Sequence, residues 1–304
     1  MREEISGLVV ELARSLWAEM GVGGANRKHI WQAIDVEPLI VYTSSLGDLD
    51  SRLRAATIDW CIANADLISG LRLRNLIREA SPSTRASFGD YAATVKAHAR
   101  VPWPGEGTPE PVLPATLKEP PDLRRPALLQ LRLRALVGVS ARAEILRLLL
   151  ADPGQAKAAS ALSELAAYGK GSVAQALDLL TLAGFVHMQP DGNRLLYRLI
   201  RPAEVAGALQ RLPAAFPDWW PIFRIAEALH AYARSAPSGS RSSVPHALHL
   251  MSRIESDLRR LGIIDDAPQP TTPESIPEFE RWALAFLAEH SGRADALPST
   301  GAAT

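Results

Sequence analysis

Seven prolines fall within residues 101–121, at positions 102, 104, 109, 111, 114, 120 and 121. Each removes a backbone donor and fixes φ, so no helix interior or central strand runs through this stretch. The chain is therefore expected to fold as blocks on either side of an extended, semi-stiff linker. The blocks are a helical domain at 1–100, the linker at 101–121, a central domain at 122–202 and a C-terminal helical region at 203–290. Residues 291–304 are small and polar and read as a disordered tail.

Composition narrows the class. The chain has 304 residues, 47% apolar and 22% charged, enough to bury a sizeable core. No apolar run reaches the ~18 residues of a membrane helix. The charged start Met1-Arg2-Glu3-Glu4 is not a secretory signal. The lone Cys61 can form neither an internal disulfide nor a multi-cysteine zinc site. These features predict a cytoplasmic protein with no membrane partner. Arginine strongly outnumbers lysine, and alanine is abundant, which suggests a high-GC bacterial source.

Net charge is zero, but it is unevenly placed. Residues 122–202 carry 11 basic and 6 acidic side chains, whereas residues 203–304 carry 9 basic and 12 acidic ones. The excess arises largely from Arg124, Arg125, Arg132, Arg134, Arg142 and Arg147. As a group they could flank a duplex or lie on solvated helix faces.

Before the linker the apolar spacing is helical. Ile5, Leu8, Val9, Leu12, Leu16 and Trp17 share one face of a helix over 2–20. Asp35 is expected to cap a short helix with Pro38 in its first turn, and Asp50 to cap one over 50–64. Over 70–79, Leu71, Leu73, Leu76 and Ile77 are expected inside and Arg72, Arg74 and Arg78 outside.

After the linker, Pro126 suits a helix start running to Gly138, and Ser140 a cap for the helix carrying Ile145 to Leu150. A third helix runs from about Ser160 to Gly169. Ser172 and Gln175 then have capping-box spacing, opening a helix with Val173, Leu177 and Leu180 on one face. Ala174, Gln175, Asp178 and Thr181 fall on or near the other face. Asp191-Gly192 between two apolar runs signals a hairpin.

Helix, glycine turn, helix and hairpin together describe a helix-turn-helix with a β-wing. On Ser163-Glu164-Leu165-Ala166, Gly169, Ser172-Val173, Leu177, Leu180, Ala183-Gly184-Phe185-Val186 and Tyr197, residues 126–202 resemble the winged-helix domains of bacterial ArsR- and MarR-type regulators. The resemblance implies binding to double-stranded DNA and transcriptional control, with repression the expected sense, and a homodimer reading paired half-sites. It implies a recognition helix over about Ser172–Leu182, with Ala174, Gln175 and Asp178 reading bases and Thr181 near them. Lys170, Ser172, Arg194 and Arg198 would meet phosphates, joined by His187 if it is exposed. That helix has no outward arginine or lysine, and Asp178 repels phosphate. An antitoxin-like or defence-associated module whose winged helix contacts protein is therefore the alternative.

The expected fold class is mainly α, with helical regions flanking a central winged helix. No catalytic constellation is legible, so no enzyme and no cofactor are expected; an enzyme would need a deep polar pocket in the first hundred residues. His246 and His249 have helical i, i+3 spacing, but without a clear third ligand no metal site is assigned. Cys61, beside Trp60 on an apolar face, reads as a buried inert thiol. Leu297-Pro298-Ser299-Thr300-Gly301 matches a sortase signal by coincidence, lacking the tail that sorting needs.

Overall fold

The computed structural model describes residues 1–23, 27–111, 120–235 and 240–292. It is mainly helical, with one small three-stranded antiparallel sheet. The expected tail falls largely outside the described residues, and the sortase-like motif wholly so.

Among the described residues five α-helices precede the proline-rich stretch: α1 (Arg2–Glu19), α2 (Val36–Ser44), α3 (Ser51–Ala63), α4 (Gly70–Glu79) and α5 (Pro82–Ala99). Their starts follow local chemistry. Asp50 accepts from the Leu53 amide, Ser69 from Arg72 and Ser81 from Thr84, each tying down a free donor of a first turn. Asp35 precedes α2 as expected but makes no capping bond. Its carboxylate is engaged elsewhere, as described below.

Every residue of α2 is buried, because other helices surround it. The Tyr42 hydroxyl donates to the Val9 carbonyl at 2.8 Å, and its ring stacks on Phe223 at 4.5 Å. The indole of Trp17 donates to Thr43 Oγ1 at 2.8 Å. Phe223 belongs to α11 (Trp219–Ser235), which with α12 (Ser240–Leu261) and α13 (Ile276–His290) joins the same core. The two ends of the chain thus form one body rather than two separately packed regions. Each end presents apolar faces that the other helps to cover. Cys61 lies in this core, and burial pushes its thiol up to about 12, so the inert reading of the residue fits its surroundings.

The second core is built from α6 (Leu129–Val137), α7 (Ala141–Ala151), α8 (Ala159–Ala166), α9 (Lys170–Leu182), α10 (Pro202–Leu209) and the sheet. Strands β1 (Lys157–Ala158), β2 (Val186–Asp191) and β3 (Arg194–Leu199) lie in the order β1-β3-β2. The expected hairpin is β2–β3, with Val186 opposite Leu199 and Asp191 opposite Arg194. Two residues of β1 were not legible, since so short a strand has no period. Helix α6 joins the two cores. Leu131 packs into the first, and Leu129 and Leu133 into the second.

The proline-rich segment is not a free linker over its described first half. Residues 101–111 lie along α5, where Trp103 is buried and stacks near Phe88. Glu110 pairs with Arg54, and the Thr108 amide donates to Asp90. The backbones approach so closely that a Cβ on Gly89 would stand 2.3 Å from the Glu106 carbonyl oxygen, and one on Gly107 2.3 Å from the Gly89 carbonyl carbon. Residues 112–119 lie outside the described residues.

Gly89→Ala is therefore expected to lower stability by about 1–3 kcal/mol, the cost of overpacking. Urea unfolding would measure this, and limited proteolysis should show faster cutting within 101–111.

Candidate nucleic-acid interface

Helix α8 ends at Ala166, where Ala167 takes the left-handed conformation (φ 52°), and α9 begins at Lys170. Gly169 is the N-cap, so α9 starts two residues before the expected Ser172. Ser172 lies within the first turn and does not cap it, and the predicted capping box does not form. Val173, Ala176, Leu177 and Leu180 are buried. At 100° per residue the opposite stripe is Gln175, Asp178, Leu179 and Leu182.

Lys170, Ala174, Gln175 and Asp178 are exposed, as the sequence suggested, and Ser172 is half-buried. Thr181 is a correction. It stands one turn after buried Leu177, at the edge of the inward stripe, and its hydroxyl is enclosed without a partner. On the hairpin His187 faces Arg198 across the strands, and both are exposed, as is Arg194. Alternation puts these three on one sheet face, while Val186, Tyr197 and Leu199 face the core. Burial, then the charge of Asp178, pushes the Tyr197 phenol upward, which places that carboxylate near the hairpin. Lys170, Arg194 and Arg198 make no ion pair among the described residues.

Arg142 on α7 is likewise exposed and without an ion pair among the described residues, and Arg201 pairs with Glu204 at the surface, but the other arginines of 122–202 behave differently. Arg134 and Arg147 are buried. Arg132 donates to the carbonyls of Leu123 and Arg125 at 2.7 and 2.8 Å, and to that of Leu209. Arg125 pairs with Glu19, and exposed Arg124 with Asp122. Four of these arginines, Arg125, Arg132, Arg134 and Arg147, are thus engaged in contacts within the protein. Neither sequence reading, a duplex flank or a solvated face, describes the buried pair.

Arg134 and Arg147 belong to a network between the two cores that the sequence reading missed. It joins Asp35 and Glu37 from the start of α2, Arg72 from α4, Gln130 and Arg134 from α6, and Glu144 and Arg147 from α7. Arg72, expected to point outward, is 1% exposed, while Leu71 is 40% exposed. The helix is turned because three carboxylates demand a cation inside. Arg72 forks onto Asp35 at 2.6 and 2.8 Å and also reaches Glu37. Arg134 bridges Glu37 at 2.6 and 2.8 Å and Glu144 at 2.6 Å. Arg147 meets Glu144 at 3.0 Å and Asp35 at 3.1 Å.

The network also places the α8–α9 turn. Arg72 Nε donates to the Ala166 carbonyl at 2.7 Å, and Asn75 to that of Ala167 at 2.9 Å. These are free acceptors at the end of α8. The Ser69 and Tyr168 hydroxyls lie 2.9 Å apart. Desolvation raises the Asp35 and Glu144 pKa values, but the arginines beside them prevail. Asp35 falls well below the usual carboxylate range, and Glu144 falls to about 2.

Among the described residues no group of three or more His, Cys, Asp or Glu could hold a metal. No described helix is long and apolar enough to cross a membrane. Comparison with known protein families, curated proteins and solved structures gives no match.

Arg134→Met is expected to cost about 3–5 kcal/mol in urea unfolding, since Glu37 and Glu144 would stay buried without it. Arg134→Lys should recover only part, lacking the planar fork. Asp35 and Glu144 have lower pKa values folded than unfolded, so the unfolded state binds more protons in between. Their contribution is complete above about pH 4.5 and is lost as pH falls toward 2. Stability measured from pH 6 to 2 should fall in that window, and less so in a variant lacking the network.

Proposed function

We propose that α6–α10 and the three-stranded sheet form a winged helix-turn-helix and that the protein is a transcriptional regulator binding double-stranded DNA. Helices α8 and α9 are the helix-turn-helix pair, and β2–β3 is the wing. One observation carries this reading. Arg125, Arg132, Arg134 and Arg147 are held in internal contacts, whereas Lys170, Arg194 and Arg198 stay exposed and unpaired among the described residues, as does Arg142 on α7. Lys170, Arg194 and Arg198 stand at the start of α9 and on the hairpin, where a duplex backbone would run. Lys170 adds its charge to the free amides of a helix start, a favourable place for phosphate. Gln175 presents an amide that can pair with adenine, and Asp178 an acceptor for cytosine. A homodimer would set two such helices on paired half-sites.

A second reading, contact with protein, rests on a different observation. Leu179, Phe185, Met188 and Leu195 are each more than 40% exposed, and Leu182 is 85% exposed. They lie at the far end of α9 and on the hairpin. A regulator can use both surfaces, whereas a pure interaction module needs only this one.

The test is retention of fragmented genomic DNA at stated salt, followed by anisotropy on the enriched sites. Arg194→Glu and Arg198→Glu should weaken binding to every sequence and reduce the salt slope by roughly one per lost contact. Gln175→Ala should change preference at one position by about 1–3 kcal/mol. Retention of no DNA, with Leu182→Glu abolishing a stable protein complex, would replace the first reading by the second.

A further inference from the structure

An open cavity of about 500 Å³ lies between the α2–α5 side of the first core and helices α11 and α12. That volume suits a small molecule. The first hundred residues supply only one wall. Its polar groups are unusually sorted. Arg224 is engaged by Asp257 at 3.2 Å and Glu79 at 3.8 Å. Glu227, from the middle of α11, makes no ion pair among the described residues. Among the described residues its two oxygens accept from Ser45 Oγ and Thr84 Oγ1, each at 3.1 Å. A carboxylate can accept about four hydrogen bonds, so about half its capacity stays open. Desolvation pushes its carboxyl up to about 7, which the hydroxyls and the more distant arginines only partly offset. Arg234 and Arg253 also line the cavity, are exposed, and make no ion pair among the described residues. The cavity therefore holds two guanidinium groups without an anion and two carboxyls outside any ion pair among the described residues, Glu227 half-buried and Asp48 exposed.

The geometry points to a binding site for a small zwitterion, its ammonium group held by Glu227 with Ser45 and Thr84, and its carboxylate by Arg234 and Arg253. An ammonium supplies the donors that Glu227 lacks, and a carboxylate matches the guanidinium fork. A neutral or purely anionic molecule brings no cation to Glu227, which then takes up a proton in this partly desolvated site and gains no ion pair. The inference does not depend on DNA binding, since it concerns residues outside the α6–α10 unit.

The experiment is calorimetric titration and thermal shift on the full chain. The probes are the standard L-amino acids and the straight-chain ω-amino acids from glycine to 6-aminohexanoate. Butyrate and butylamine serve as one-ended controls. At least one zwitterion is expected to bind at one site and raise Tm, with each control at least about tenfold weaker. Glu227→Gln and Arg253→Ala should each weaken that zwitterion by at least about tenfold. Arg253 is exposed, so its replacement leaves folding intact and the test usable whatever the first variant does. Binding of no zwitterion, equal binding of a control, or unchanged affinity in the Arg253 variant would overturn the assignment.

Discussion

Three arginines and three carboxylates are buried together where the two cores meet. Removing each from water costs several kcal/mol, and only complete pairing offsets such a cost. Here pairing is nearly complete. Arg72 is shared by Asp35 and Glu37, Arg134 by Glu37 and Glu144, and Arg147 by Glu144 and Asp35. Gln130 fills remaining positions on Asp35 and Glu144 while accepting from the Val36 amide. A shifted arrangement of the cores would strand at least one of these charges. The relative placement of α2, α4, α6 and α7 is therefore set by directional bonds, which apolar contact alone would leave freer to slide.

The same network changes what the charge pattern means. A local excess of arginine suggests a nucleic-acid surface only if the side chains reach solvent. Arg134 and Arg147 answer acids of their own fold, and Arg132 answers carbonyls. What remains exposed and unpaired among the described residues of 122–202 is Lys170 on α9, Arg194 and Arg198 on the hairpin, and Arg142 on α7. Helix α4 has a double position. Its first residues hold the end of α8, while Glu79 in its last turn accepts from Trp220 and stands at the cavity beside α11. One ten-residue helix thus touches the turn before α9 and the wall of the cavity.

Much of the local structure was legible. The 3.6-residue spacing located α1, α4 and α9, and Asp191-Gly192 located the hairpin. Leu179 and Leu182 were also visible on α9, but lay outside the polar set chosen for reading bases. Arg72 shows where periodicity fails. A lone arginine on a leucine-rich helix looks outward on any hydropathy count, and the acids that draw it inward lie more than thirty residues before it and seventy after. A faint signal existed in Asp35 and Glu37, two acids at the start of a segment whose next five residues, Pro38 to Tyr42, are largely apolar. A capping role explained Asp35 equally well.

Local chemistry along the chain placed most helices to within a few residues, the turn of the hairpin, and the stripe of α9 that faces the core. These depend on neighbours within about a turn, through caps, φ limits and side-chain spacing. Tertiary structure alone decided that the two chain ends share a core, that the first half of the proline-rich stretch lies along α5, and which arginines remain free. Those outcomes depend on partners distant in the chain. A charge finds its counterion by proximity in space, and a linear count of charges contains no distances.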